Sequence, residues 1–136
     1  MSQEFLSPSL RVLVVDDHPD LLSMLDLMMQ RRKYSVKTAT SGVEALEMAS
    51  DFAPHVVVSD IGMPGMDGYQ LMQELRASDL SPFKSIALTG YDLSVDGTRA
   101  KEAGYDAHLA KPIEFAQLFE IIENLAKEGE AENASE

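Results

Sequence analysis

Carboxylates follow two apolar runs of this chain. Asp16 and Asp17 come directly after the run 10–15, and Asp60 ends the run that begins at 55. Runs rich in β-branched residues, bounded by turn signals, are typical of strands buried on both faces of a parallel sheet. Because parallel strands end at one common edge, the three carboxylates are expected to converge there. Crowded like charges raise each other's pKa values and are costly unless a divalent cation or a catalytic task compensates them.

A hydroxyl and an ammonium group are predicted at the same edge. Thr89 follows the run 85–88, and Lys111 follows the run 107–110. A carboxylate can attack phosphorus to form an acyl phosphate if a hard cation and an ammonium group absorb the charge of the phosphoryl oxygens. Magnesium prefers oxygen ligands, a threonine hydroxyl donates a hydrogen bond, and lysine supplies a compact positive charge. The residue types therefore predict phosphoryl transfer to a carboxylate with Mg²⁺ as cofactor.

Strand-like runs alternate with stretches of helical spacing along the whole chain. The strands are predicted at 10–16, 34–39, 55–60, 84–89 and 106–110. The helices are predicted at 19–32, at 42–53, around 69–75, at 93–103 and at 115–126. Such alternation implies parallel pairing with right-handed crossovers, and hence an α/β three-layer (βα)5 sandwich. Gly97 and a thin apolar face make the fourth helix the element expected to be most mobile.

Length and composition restrict the class of protein. The 136 residues, 45% of them hydrophobic, suffice for one core, which we place at 10–126 between flexible tails at 1–9 and 127–136. No apolar stretch is long enough to span a bilayer and no signal peptide is visible, so a cytoplasmic protein without membrane contact is expected. The lack of cysteine excludes disulfides and thiolate metal sites. The net charge of −12 argues against nucleic-acid binding and favours Mg²⁺ and protein partners.

Four segments, in this order, resemble the receiver domain of bacterial two-component response regulators, the CheY-like family. They are Val14–Asp17, Val58–Gly68, Ala87–Gly90 and Ala110–Pro112, and the resemblance runs from about Leu10 to Leu125. It implies a flavodoxin-like sheet with the strand order 2-1-3-4-5. It also implies a signalling domain that catalyses only its own phosphorylation and dephosphorylation, and is not an enzyme with a separate substrate.

The resemblance assigns roles to the acids. Asp60 is implied to accept a phosphoryl group from a histidine of a sensor kinase or phosphotransfer protein. Asp17, Asp60 and the backbone carbonyl of Gly62 are implied to ligate Mg²⁺, with Asp16 acting mainly through a metal-bound water. Gly62 and Tyr91 occupy positions that tune phosphoryl lifetime in the family, and we expect slow self-dephosphorylation from their identities.

The resemblance also implies a switch. Thr89 and Lys111 would contact the phosphoryl group, and the peptide bond between Lys111 and Pro112 would be cis. His108 stands where most members have a tyrosine or phenylalanine that swings inward when the threonine engages the phosphoryl group. The face formed by the fourth helix, fifth strand and fifth helix would then change its affinity for a downstream protein partner. The chain could be a free-standing regulator or the receiver of a hybrid histidine kinase, and the run 87–92 looks more like the receivers of hybrid kinases.

Other interpretations remain open. His18 and His55 show no spacing to a third metal ligand, so surface or helix-start roles are favoured. A haloacid-dehalogenase-type phosphohydrolase would use Asp16 as its nucleophile, but its second acid would fall at position 18, which is a histidine. A phosphorylation-independent pseudo-receiver that only binds partners is the third possibility. Phosphate trapped on Asp60 rather than Asp16 would separate the receiver from the hydrolase, and unchanged partner binding and output in Asp60→Asn would favour the pseudo-receiver.

Overall fold

Five parallel strands form the centre of the molecule. The computed structural model describes residues 9–90 and 93–134, with the backbone alone for 93–96 and 131–134; the predicted N-terminal tail up to residue 8 and Tyr91 lie outside these ranges. The strands are β1 (Arg11–Val15), β2 (Ser35–Ala39), β3 (Val56–Asp60), β4 (Lys84–Thr89) and β5 (Ala107–Ala110). Their order is β2-β1-β3-β4-β5 and every neighbouring pair is parallel. This confirms the predicted flavodoxin-like α/β sandwich.

Five helices cover the two faces of the sheet. They are α1 (Pro19–Arg31), α2 (Gly42–Phe52), α3 (Gly68–Ala77), α4 (Leu93–Ala103) and α5 (Phe115–Ala134). Side chains of β1 alternate between two cores: Val12 and Val14 pack with α1 and α5, whereas Leu13 and Val15 pack with α2, α3 and α4. All four of these residues are fully buried, as expected for a strand covered on both faces. None of the described helices has the length and apolar character needed to cross a bilayer.

Two of the helices, α2 and α3, begin at residues whose side chains cap them. Ser41 accepts a hydrogen bond from the Glu44 backbone N–H (3.1 Å) at the start of α2. Asp67 accepts one from the Gln70 N–H (2.9 Å), and the Gln70 side chain accepts in return from the Asp67 N–H, which completes a capping box before α3. Because α3 begins immediately after the loop that follows β3, this cap fixes the far end of that loop.

The last helix is longer than the sequence indicates. We expected an irregular, flexible tail from residue 127, but α5 continues without interruption to Ala134. Lysine, glutamate and alanine are strong helix formers, so the acidic composition of this stretch is compatible with helix as well as with disorder. Gly129, the weakest helix former in it, lies beside Lys84 at the start of β4. The predicted domain boundary at 126 stays a prediction.

Candidate functional site

Two buried carboxylates meet at the carboxyl edge of the sheet. Asp16 follows β1 and is fully buried, and Asp60 is the last residue of β3 and is 6% exposed. The backbone N–H of Asp16 donates to the carbonyl of Ala39 (3.1 Å), which extends the hydrogen bonding of the sheet beyond the strand itself. Burial, and then the charge of Asp16, raise the pKa of Asp60, although Lys111 opposes the shift. The electrostatic cost expected from the sequence is therefore present in the fold.

Lys111 supplies the positive charge between them. Its Nζ lies 2.9 Å from Oδ2 of Asp16 and 3.4 Å from Oδ1 of Asp60. The backbone N–H of Lys111 donates to the carbonyl of Thr89 (2.8 Å), and the peptide bond from Lys111 to Pro112 is cis. Burial lowers the pKa of Lys111, but the hydrogen bond to Asp16 and the negative charge of Asp60 outweigh burial and raise it overall. Lys111 is consequently held as a cation against both carboxylates.

Two oxygen atoms at this edge are buried without a hydrogen-bond partner among the described residues. One is the hydroxyl oxygen of Thr89, a fully buried residue that ends β4, and the other is Oδ1 of Asp17. Buried polar atoms are almost always paired, because an unpaired one costs about 1–3 kcal/mol. Their position beside Asp16 and Asp60 indicates that this edge is built to receive a polar or charged group.

A tightly packed loop follows Asp60. The N–H of Gly62 lies 3.4 Å from Oδ1 of Asp60, and the N–H of Gly68 donates to the carbonyl of Ile61 (2.8 Å). A Cβ at Gly68 would collide with the carbonyl oxygen of Asp60 and lie 2.7 Å from Cα of Ile61. The buried Tyr105 hydroxyl donates to the Gly68 carbonyl (2.8 Å). Gly68 thus allows the loop to fold back on the strand end, and Tyr105 anchors it there.

His18 has the surface and helix-start position favoured from the sequence, since it precedes α1 and its side chain is 66% exposed, but it also contacts the cluster. Its backbone N–H donates to Oδ1 of Asp16 (2.9 Å) and its Nδ1 lies 2.7 Å from the same oxygen. Nδ1 is also 3.3 Å from Oδ1 of Asp17. The hydrogen bond to Asp16, followed by the charges of Asp16 and Asp17, raises the pKa of His18. Its position immediately after the acid pair was the signal that could have identified it.

Other predicted residues lie away from the cluster. His108 is exposed on β5 and its ring rests against Gly97 of α4, where a Cβ would lie 2.9 Å from Cε1. His55 is at the opposite edge of the sheet, where its Nδ1 accepts from the backbone N–H of Arg11 (2.9 Å). Gly65, in the loop after β3, adopts a left-handed φ of 75°, a conformation that favours glycine.

The donor set fits a hard divalent cation. One candidate ligand atom each from Asp16, Asp17, His18 and Asp60 can be chosen so that all lie within 4.8 Å of one another. Three of the four residues offer carboxylate oxygens, the ligands that Mg²⁺ prefers. The buried, unpaired Oδ1 of Asp17 is the atom that a cation would satisfy most directly.

Comparison with known proteins agrees with this geometry. The family profile described as response regulator receiver domain matches residues 12–123. The sensor histidine kinase RcsC of Salmonella typhi is 38% identical over 111 residues, which are 82% of this chain and 12% of RcsC. The transcriptional regulatory protein PrrA of Mycobacterium bovis is 36% identical over 117 residues, which are 86% of this chain and 50% of PrrA. The chain therefore spans only part of the length of these relatives.

A solved structure shows the same fold. The chemotaxis protein CheY4 of Vibrio cholerae superposes with a TM-score of 0.81 at 28% identity, over 87% of this chain and 99% of that protein. The family profile covers most of the chain, and two relatives above 30% identity align with more than four fifths of it. This chain belongs to the response regulator receiver domain family of two-component systems.

Proposed function

We propose that Asp60 is the phosphoacceptor of a two-component pathway and receives its phosphoryl group from a histidine of a sensor kinase or phosphotransfer protein. A carboxylate oxygen of Asp60 forms the new bond to phosphorus as the bond from phosphorus to the donor imidazole nitrogen breaks, and the electron pair leaves with that nitrogen. The observation that carries the proposal is the contact of Lys111 Nζ with Asp16 (2.9 Å) and Asp60 (3.4 Å), beside the unpaired hydroxyl of Thr89.

The acids at this edge would hold the cofactor. Asp17, Asp60 and the carbonyl of Gly62 are the ligands that the family relationship indicates, and Asp16 would act mainly through a metal-bound water. When bound, Mg²⁺ neutralises part of the charge on the phosphoryl oxygens. The raised pKa of Asp60 supports this assignment, because burial and the charge of Asp16 make its ionised form costly unless a cation is near.

Lys111 and Thr89 would stabilise the product. The Lys111 ammonium group, already in contact with Asp60, can pair with a phosphoryl oxygen after transfer. The hydroxyl of Thr89 lacks an acceptor among the described residues and can donate to a second phosphoryl oxygen. A phosphoryl group adds about 1.5 to 2 negative charges at neutral pH, so both contacts gain strength when Asp60 is modified.

The consequence of the modification would be a change of partner affinity. Movement of Thr89 toward the phosphoryl group frees space next to β5, which His108 can then enter from its exposed position against Gly97. The face formed by α4, β5 and α5 would carry that change to a downstream protein. We place this switch in the cytoplasm, where a histidine kinase presents its phosphoryl group.

The test uses the full chain with Mg²⁺ and acetyl phosphate, a small donor that needs no kinase. Intact-mass spectrometry should show the gain of one phosphoryl group, dependent on Mg²⁺ and abolished in Asp60→Asn. Asp51→Asn, an exposed acid on α2, is the matched control and should react normally. A wild-type chain that binds Mg²⁺ and never gains mass, or an Asp60→Asn variant that still does, would refute the proposal.

The lifetime and the donor need a second experiment. Phosphotransfer profiling against the sensor kinases of the host should reveal one donor that reacts much faster than the rest. After removal of the donor, the signal should decay slowly, as expected from Gly62 and Tyr91. A half-life of a few seconds would reject the slow-decay expectation while leaving the acceptor role of Asp60 intact.

A further inference from the structure

We infer that His18 contributes a nitrogen ligand to the cation at the carboxyl edge and gives the site a preference for transition-metal ions over Mg²⁺. The inference rests on the proposed function, because it concerns the same cation site. It adds a nitrogen ligand to a site otherwise made of oxygen ligands, and we therefore expect a different selectivity among divalent ions.

The distances around the imidazole match those of neighbouring ligands on one ion. Nδ1 of His18 lies 2.7 Å from Oδ1 of Asp16 and 3.3 Å from Oδ1 of Asp17. In an octahedron with bonds of about 2.1 Å, adjacent ligand atoms are roughly 3.0 Å apart and opposite ones roughly 4.2 Å apart. The chosen atoms of His18, both aspartates and Asp60 lie within 4.8 Å of one another, so a small contraction around an ion satisfies both separations.

The carboxylate of Asp17 has an unpaired oxygen that a cation would satisfy. Oδ1 of Asp17 is 3.3 Å from the imidazole but outside hydrogen-bonding geometry, and it is buried without a hydrogen-bond partner among the residues with described side chains. The fully buried hydroxyl of Thr89 is unpaired at the same edge. Asp17 thus has an unpaired oxygen at the place where His18 and the other acids converge, and Thr89 has one at the same edge of the sheet.

The imidazole is free to complete the site. The side chain of His18 is 66% exposed, whereas that of Asp16 is fully buried. Rotation of the ring therefore disturbs no core packing. A ring that gives up the Nδ1 proton and its hydrogen bond to Asp16, and keeps its proton on Nε2, presents the Nδ1 lone pair to the ion. The backbone N–H of His18 donates to Oδ1 of Asp16 (2.9 Å), which keeps the residue at the rim of the site whether or not the ring rotates.

Imidazole nitrogen discriminates between divalent ions. Mg²⁺ is a hard ion that prefers oxygen and retains its waters. Mn²⁺, Co²⁺ and Ni²⁺ accept nitrogen ligands, with affinity that rises in that order. A site made only of carboxylates and a carbonyl has no such nitrogen, so removal of His18 should weaken Ni²⁺ and Mn²⁺ binding much more than Mg²⁺ binding.

The experiment is pulsed electron paramagnetic resonance of Mn²⁺ bound to the untagged full chain, combined with calorimetric titration of Ni²⁺ and Mg²⁺. The chain has three histidines, so a nitrogen coupling to Mn²⁺ can be assigned by substitution. We expect imidazole coupling in the wild type and in His55→Gln, the control at the opposite edge, and its loss in His18→Ala. Ni²⁺ affinity should fall about tenfold in His18→Ala, following the ligand preferences above, and Mg²⁺ affinity less than about twofold.

The other outcomes separate this inference from the proposed function. If Mn²⁺ binds without imidazole coupling, or if the coupling persists in His18→Ala, His18 is not a ligand and the carboxylate site stands. If the wild-type chain binds neither Mn²⁺ nor Mg²⁺, both the inference and the proposed cofactor are wrong.

Discussion

The two edges of the sheet differ in whether their polar groups have hydrogen-bond partners. At the carboxyl edge, Asp16 and Asp60 are buried side by side, and the hydroxyl of Thr89 has no partner among the described residues. At the amino edge, Arg76 and Asp106 form a network in which donors and acceptors are matched. Both buried side-chain atoms that lack a partner in the described part of the chain belong to the carboxyl edge.

The amino edge is organised by one guanidinium group. Arg76 donates to the carbonyls of Phe83 (3.0 Å) and Gly104 (2.9 Å), and to the carboxylate of Asp106 (3.0 Å). It also stacks on the ring of Phe83 at 4.1 Å. Asp106 accepts in addition from the backbone N–H of Ser85 (2.8 Å). One side chain therefore joins α3, the start of β4 and the turn before β5.

The contrast indicates where stability and function reside. Polar groups that form hydrogen bonds or ion pairs with one another stabilise the fold. Polar groups that are unpaired, or that lie next to a like charge, lower the free energy of unfolding and are retained where a function needs them. Under the proposed function, the carboxyl edge carries that cost because a cation and a phosphoryl group would pair with these atoms. Changes at the amino edge should therefore lower stability, and some changes at the carboxyl edge should raise it.

The largest effect on stability is expected from Arg76→Ala. It removes the hydrogen bonds to four residues and the stacking on Phe83 at once, which we expect to cost about 2–3 kcal/mol of unfolding free energy; the four residues are Phe83, Ser85, Gly104 and Asp106. Urea denaturation measures the loss, with Arg31→Ala at the exposed end of α1 as the control. A loss below about 0.5 kcal/mol would show that the network at the amino edge does not stabilise the fold as argued.

A smaller effect should distinguish two glycines of the loop after β3. Gly68→Ala places a Cβ on the carbonyl of Asp60, whereas a Cβ at Gly62 has nothing within 4 Å. We expect Gly68→Ala to cost about 1–3 kcal/mol and to slow phosphorylation by acetyl phosphate, because the displaced atom belongs to the acceptor residue. Gly62→Ala should change stability by less than about 0.5 kcal/mol. Equal effects of the two substitutions would contradict this packing of the loop.

A stabilising change is expected at Asp60, the proposed acceptor. Burial and the charge of Asp16 raise the pKa of Asp60, so its ionisation costs more in the folded than in the unfolded chain. The protonated form of Asp60 therefore contributes stability to the fold. This contribution is fully present below the ordinary pKa of 3.8 and is lost as the pH rises through the raised pKa. Without divalent ions at neutral pH, Asp60→Asn should gain about 1 kcal/mol, which thermal unfolding with Asp51→Asn as control would detect. A variant less stable than the wild type would count against an electrostatic cost at this edge.

The smallest effect concerns acid sensitivity at the amino edge. Burial, and then the charge of Arg11, lower the pKa of His55, whose Nδ1 accepts from the Arg11 N–H. As the pH falls below 6.5, the unfolded chain binds this proton before the folded one, so stability declines toward acid pH. His55→Gln can still accept the hydrogen bond and should weaken that decline. Unfolding free energies measured from neutral to acid pH test this expectation, with His108→Gln as the matched control. The same dependence of stability on pH in His55→Gln and in the wild type would contradict it.

Much of the carboxyl edge could be anticipated from local patterns. Asp16, Asp60, Thr89 and Lys111 each end or follow an apolar run, and the parallel sheet brings such residues to one edge. Strand limits agree with the sequence to within one residue, because β-branched runs and turn residues mark them clearly. The approach of Lys111 to both carboxylates follows from the same topology.

The remaining features depend on contacts between residues far apart in sequence. Tyr105 and Gly68 are 37 residues apart, and Arg76 and Gly104 are 28 apart. The spacing of residues within a helix or strand therefore does not predict their hydrogen bonds. The position of His18 next to the acid pair indicates that it is near the cluster, but the contact of its exposed ring with Asp16 depends on the side-chain conformation. The extension of α5 was missed because an acidic stretch of good helix formers is compatible with helix or with a tail.

The central claim is that the carboxylate of Asp60, and not that of a neighbouring acid, receives the phosphoryl group. Borohydride reduction of the acetyl phosphate-treated chain, followed by peptide mass spectrometry, locates the modified aspartate directly. The account predicts a single reduced residue at position 60. Reduction at Asp16 would support the dehalogenase-type alternative, and a folded, Mg²⁺-bound chain with no reduced aspartate would contradict the account altogether.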